Sequence, residues 1–86
     1  MSAIRLATWN VNSIKVRLPH LLQWLAAQDA MKAPIDALCL QELKLTEDKF
    51  PFAELEAAGY YSLVAGQKTY NGVAILLRKS SLAAIA

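Results

Sequence analysis

The opening stretch AIRLATWNV is rich in residues that suit a pleated strand, and it runs into NVNS, a cluster of turn formers. This predicts a first strand over about Ile4–Trp9. From Leu18 the period changes: Leu18, Leu21, Leu22 and Leu25 recur at the spacing of one helical face, and Pro19 suits only the opening turn of a helix. A helix over about Leu18–Gln28 follows. KAP breaks the chain, and IDALCLQE then reads as a strand apolar on both faces, the pattern of a strand covered on both sides. Strand, helix, strand implies parallel pairing. Beyond it, Thr46–Lys49 reads as a polar turn and FPFAELEAAG as a short helix with Pro51 near its start and Gly59 as its stop. YYSLVAG and GVAILLR read as two strands joined by QKTYN in an antiparallel hairpin. No internal repeat or low-complexity linker interrupts the pattern. The tail SSLAAIA ends in apolar residues without a cap or turn, which predicts a piece of a larger domain.

Composition narrows the class. The 86 residues allow one modest domain or part of one, and 56% hydrophobic against 19% charged residues is a high demand for burial. Apolar runs such as Val73–Leu77 are far too short to span a bilayer, so no membrane role is expected. The start MSAIRLATWN lacks the features of a secretory signal and Cys39 is the only cysteine, which together predict a reducing cytoplasm. The formal net charge of +2 is too small to identify a nucleic-acid protein by itself. The placement of the charges has to decide.

In an open α/β sheet, ligands collect at the carboxyl ends of the parallel strands. Asn10 and Asn12 follow the first strand, and Gln41 and Glu42 end the second. One carboxylate and three carboxamides on one rim make an oxygen-rich set that suits a hard cation such as Mg²⁺. A plain structural role competes: Glu42 paired with Lys44, or accepting backbone N–H groups of a turn.

Three blocks bear on that choice. TWNVNSIKVRL, LCLQELKLTEDKFP and GYYSLVAGQKTYNGVAILLR resemble, in order and spacing, the first blocks of the exodeoxyribonuclease III group of apurinic/apyrimidinic endonucleases, within the endonuclease/exonuclease/phosphatase superfamily. The resemblance covers nearly all of Ile4–Arg78. It implies an α/β fold in which one partial mixed sheet with flanking helices forms part of a four-layer αββα sandwich of the deoxyribonuclease I type. The chain would be the N-terminal part of one such domain, with the second sheet supplied elsewhere. The implied activity is hydrolysis of the DNA backbone 5′ to abasic sites, or removal of nucleotides from 3′ ends of duplex DNA, with Mg²⁺ or Mn²⁺.

By the same resemblance Glu42 ligates the metal and Asn10 joins the network around the attacked phosphate. Lys44 stands beside the site, either supporting ionised Glu42 or approaching a phosphate. Some relatives carry an aspartate where this chain has Asn12, which brings no charge, so Asn12 and Gln41 are supporting residues. Lys15, with Arg17 as a weaker candidate, would meet DNA phosphates. In the hairpin, Lys68 would meet a phosphate, Tyr70 would pack on sugar or base, and Asn71 would donate a hydrogen bond.

Trp9 and Cys39 read as core residues, Trp24 as structural, and His20 as a surface helix residue, because the family's histidine belongs to a later block. Without the later blocks the 86 residues alone are expected to be inactive and, with apolar strand faces left uncovered, to self-associate. Two other readings remain: a superfamily phosphodiesterase or phosphatase acting on nucleotides or phospholipids, and a catalytically dead self-associating module.

Overall fold

The computed structural model describes residues 5–31, 35–65 and 72–81. Strand β1 (Leu6–Asn10) leads to helix α1 (Ile14–Asp29) and strand β2 (Ala37–Gln41). A single 3-10 turn (Glu47–Lys49), helix α2 (Phe52–Ala57) and strands β3 (Tyr60–Ala65) and β4 (Val73–Arg78) complete the order. The four strands form one mixed sheet in the order β1-β2-β4-β3. β1 and β2 are parallel, as the intervening helix requires, whereas β4 runs antiparallel to both β2 and β3. The predicted hairpin is present, and its connection QKTYN lies outside the described residues, as does Ile4.

Register divides the sheet into two unlike faces. Leu38 and Leu40 of β2 lie beside Leu76 and Ala74 of β4, and all four are buried under the helices. Leu21 and Leu25 of α1 and Leu55 of α2 cover them, with Tyr60, Val11, Ile14, Leu43 and Phe50 closing the same core. Each fully buried leucine contributes about 1.5–3 kcal/mol, so this one-sided core is the main source of stability. The opposite face carries Leu6, Cys39, Ile75, Val73, Tyr61 and Leu63, and among the described residues nothing covers it. Leu6 is 73% exposed and Leu63 is 60% exposed.

Several expectations change here. Cys39 is not a core residue; strand alternation puts it, half-buried, on the uncovered face. Helix α1 begins at Ile14 rather than Leu18, so Pro19 lies inside it. The earlier start is set by tertiary contact: Ile14 is completely buried, and its N–H donates to the carbonyl of Leu43 at 3.1 Å. Pro19 is tolerated because it is exposed and costs only the bond that its missing N–H would give to the carbonyl of Lys15. The predicted polar turn at Thr46–Lys49 tightens into the 3-10 turn. Gly59 stops α2 as expected, at φ +97°, a conformation that favours glycine. No described helix is long and apolar enough to cross a membrane.

At the end of the sheet away from the carboxyl rim of β1 and β2, Arg78 ties four elements together. Its guanidinium pairs with Asp29 at the end of α1, donates from Nε to the carbonyl of Ile35 at 2.7 Å, and stacks 5.1 Å over the Tyr60 ring. Burial pushes the Tyr60 phenol up to about 12, and its hydroxyl donates to Asp29 at 3.3 Å. Nearby, Asp36 accepts from the Ser81 hydroxyl and from the backbone N–H of Arg5 at 2.7 Å. Those two bonds, Ser81 first, hold its carboxyl below the ordinary 3.8.

A folded-state value below the unfolded one stabilises the fold above pH 3.8, and that contribution is lost as pH falls through the lower folded value. Asp36→Asn should therefore reduce stability at neutral pH and flatten the acid limb of a stability-against-pH curve, as measured by urea unfolding. An acid limb identical to that of the parent would remove Asp36 from this role.

Candidate functional site

Beyond the ends of β1 and β2 the two chains stay together for a few residues. Val11 N–H donates to Gln41 O at 3.0 Å, Ser13 N–H to Glu42 O at 2.9 Å, and Ile14 N–H to Leu43 O at 3.1 Å. The last two carbonyls take the place of a side-chain cap at the start of α1, where Ser13 makes no cap bond. On the other side, Leu43 N–H donates to the carbonyl of Gly72, just before β4. The rim is thus sewn together from three segments.

Strict alternation after Leu38 and Leu40 would bury Glu42. Instead Glu42 takes a left-handed conformation, φ 56°, so Leu43 enters the core in its place and Lys44, φ 59°, turns the chain again. The opposing segment does the same, with Asn12 at φ 47° and Ser13 at φ 90° ahead of buried Ile14. Four non-glycine residues in this region, all on two adjoining turns, is a concentration of strain of the kind that clusters at working sites. Its effect is to put the Glu42 carboxylate beside Asn10.

A short chain of hydrogen bonds then fixes the polar groups. Asn10 donates from Nδ2 to Oε2 of Glu42, and its Oδ1 accepts the Asn12 backbone N–H at 3.1 Å. Because Oδ1 is committed to that N–H, the amide must present Nδ2 to the carboxylate. Lys44 donates from Nζ to Oδ1 of Asn12. Glu42 thus pairs with Asn10 rather than with Lys44, and Lys44 holds Asn12. The second carboxylate oxygen, Oε1, has no described hydrogen-bond partner, and Glu42 is only half-buried.

Of the residues expected at the site, Asn10, Asn12, Glu42 and Lys44 converge. Gln41 pairs in register with Asn10 and with Val73, so it belongs to the uncovered face and makes no described hydrogen bond to Glu42. Lys15 is exposed in the first turn of α1, beside Lys44 in an open groove. Lys68, Tyr70 and Asn71 lie outside the described residues, whose flanking positions Ala65 and Gly72 are both on this rim. Among the described residues no three His, Cys, Asp or Glu side chains gather as a metal cluster.

His20 is exposed on α1, as expected. With Trp9 and Trp24 it lines an apolar hollow of about 390 Å³ that contains none of the rim residues. Trp24 is therefore a half-open helix residue rather than a core one.

Leu43 was missed by periodicity because it falls three positions after Leu40 instead of two. That odd spacing is itself the signal of a broken strand. Leu43→Ala should cost about 2–5 kcal/mol in denaturant unfolding, against much less for the half-buried Leu45→Ala. Equal costs for the two would mean that Leu43 does not anchor the turn.

Comparisons with known proteins show the family. A model of the endonuclease/exonuclease/phosphatase family matches residues 7–85. The chain is 32% identical over 76 residues to exodeoxyribonuclease III of Haemophilus influenzae, covering 88% of this chain and 27% of that protein. It is 34% identical over 92 residues to the mouse DNA-(apurinic or apyrimidinic site) endonuclease 2, covering 91% of this chain and 17% of the relative. Among solved structures, a 3′ phosphatase from Neisseria bound to a product DNA hairpin is similar at TM-score 0.77 and 53% identity, over 88% of this chain and 28% of that one. An AP endonuclease from Archaeoglobus fulgidus is similar at TM-score 0.77 and 40% identity, over 87% and 27%. The chain thus spans between 17% and 28% of the length of these relatives. With the family match extending from β1 to beyond β4, and the paired turns of Asn10 and Glu42 inside it, this chain belongs to the endonuclease/exonuclease/phosphatase family.

Proposed function

We propose that these 86 residues are the N-terminal part of the single catalytic domain of a DNA repair nuclease that hydrolyses phosphodiesters at abasic sites or 3′ ends of duplex DNA. The observation that carries the reading is the Asn10–Glu42 pair on the carboxyl rim of β1 and β2, formed inside the family match. The relatives named above, which act on DNA or were solved with it, support DNA as the substrate class.

The donor set fits one hard divalent cation, Mg²⁺ or Mn²⁺, which takes one or two carboxylates and keeps several waters. Glu42 would hold it through Oε1, since Oε2 is engaged by Asn10. Asn12 is a poor direct ligand: it is uncharged and its Oδ1 accepts from Lys44. Such an ion, when bound, supplies positive charge for the phosphoryl oxygens.

The chain's own residues orient. Asn10 fixes the carboxylate against rotation, and Lys44 immobilises the turn that presents Asn10. Lys15 stands in the first turn of α1, which holds no acidic residue. A cation there opposes the helix dipole, a cost that contact with a phosphate offsets. Lys68, Tyr70 and Asn71 would hold the duplex from the segment between Ala65 and Gly72. Activation of the attacking water and protonation of the leaving oxygen would fall to the family's later blocks in the full-length protein, as the resemblance implies. A lone free cysteine suits the reducing cytoplasm, where the enzyme would work.

The uncovered apolar face favours a second reading for the polypeptide alone, that of a self-associating module without activity. The enzyme reading is tested in the full-length protein that carries this sequence. Glu42→Gln should lower Mg²⁺-dependent cleavage of an abasic duplex by orders of magnitude with little change in thermal unfolding, since shape is kept and charge is lost. Undiminished cleavage at saturating Mg²⁺ would take Glu42 out of the site. The 86-residue polypeptide by itself should associate in light scattering and leave the duplex intact. A stable monomer that cuts it would overturn the requirement for residues elsewhere.

A further inference from the structure

Next to the rim, and continuous with it through Lys44, an open groove of about 1090 Å³ runs between the start of α1 and the segment that leads into α2. Three lysines, Lys15, Lys44 and Lys49, line it, and Leu18, Leu45 and Pro51 give it an apolar lining. Lys44 reaches from the groove to Asn12, and through Asn12 the hydrogen bonds continue to Asn10 and Glu42. The groove therefore begins at the reacting centre and leads away from it.

Its chemistry is that of a track for a sugar-phosphate backbone. Separated ammonium groups suit successive phosphates, the apolar lining suits the faces of the sugars between them, and no planar aromatic or amide array is present among its lining residues to read bases. The backbone N–H groups of Ser13 and Ile14 are already taken by the carbonyls of Glu42 and Leu43, which leaves the lysines as the charged anion contacts of the groove.

Lys49 is the informative member. It is exposed at the end of the 3-10 turn, makes no described ion pair, and belongs to none of the hydrogen bonds that build the rim. Asp48 and Glu54 line the same groove, so its charge is mixed and its affinity for an anion is set low.

We propose that this groove binds the DNA backbone flanking the attacked phosphate, with Lys49 as an outer phosphate contact that sets register and contributes no chemistry. The proposal rests on the nuclease reading and deepens it by naming the path of one flank. Lys49 gains its interaction only when the duplex extends beyond the cut on the side that enters the groove, whereas Asp48 opposes that interaction.

The test uses the full-length protein that carries this sequence, with a fluorescent abasic duplex and fluorescence anisotropy in chelator over a range of salt. Lys49→Ala should weaken binding about fivefold and lower the slope of log affinity against log salt by about 0.9. Asp48→Asn should tighten binding by a similar factor. Shortening one flank, and not the other, should abolish both effects.

If the parent protein binds the duplex but neither variant changes affinity or salt slope, the groove proposal is wrong while the Glu42 assignment stands on its own cleavage test. Effects that survive shortening of either flank would likewise refute the path. If the parent protein binds no duplex, both this inference and the nuclease reading fail. Unchanged thermal unfolding of the two variants, expected for exposed side chains, confines the readout to binding.

Discussion

Everything at the working end of this chain depends on a refusal to alternate. A regular β2 would send Glu42 into the core beneath α1, where an unpaired carboxylate costs several kcal/mol. The left-handed turn at Glu42 and the burial of Leu43 reverse that outcome, giving the core an isobutyl group and the rim a carboxylate. Left-handed residues other than glycine each cost of order 1–3 kcal/mol, and four of them adjoin here. The compensation is local and visible: Leu43, Ile14 and Val11 are wholly buried, and four backbone hydrogen bonds join the two turns to each other and to Gly72. The strain is thus held by packing on one side, and it is expressed as a fixed carboxylate on the other.

The two ends of the sheet divide the labour. The carboxyl rim of β1 and β2 spends conformational freedom on placing Asn10, Asn12, Glu42 and Lys44, whereas the far end gathers Arg78, Asp29, Tyr60 and Asp36 into contacts that bind the helix ends to the strands. Neither set intrudes on the other. The helix-covered face of the sheet connects them with a packed, mainly aliphatic layer that gives the strained turns something to be strained against.

Much of this was legible in the sequence, for reasons that differ by element. The second strand announced itself through IDALCLQE, and the crossover helix through leucines at helical spacing, so parallel pairing and the rim followed. The convergence of Asn10 and Glu42 followed in turn from the rule that parallel strands deliver their ends to one edge. The start of α1 did not, because the burial of Ile14 and the carbonyl of Leu43 outweighed a proline in its interior. Nor did the partner of Glu42: spacing in the chain favours Lys44, but a left-handed turn between them sends the two side chains to different acceptors. Nor could the sequence say whether Leu38 and Leu40 share a face with Val73 and Ile75 or with Ala74 and Leu76; register sets the second. Alternation is known within each strand, whereas the phase between strands is fixed only by pairing.

Pro19 gives the first turn of α1 a double allegiance. Without its N–H, the helical ladder has a missing rung just where the residues docked on the 42–44 turn give way to those packed over the sheet. Lys15 and its neighbours are therefore tied to the 42–44 turn through Ser13 and Ile14 as well as to the rest of their own helix. A helix that lacks one rung bends there more readily than elsewhere, so the segment of α1 that carries Lys15 can follow the 42–44 turn while Leu21 and Leu25 stay seated in the core.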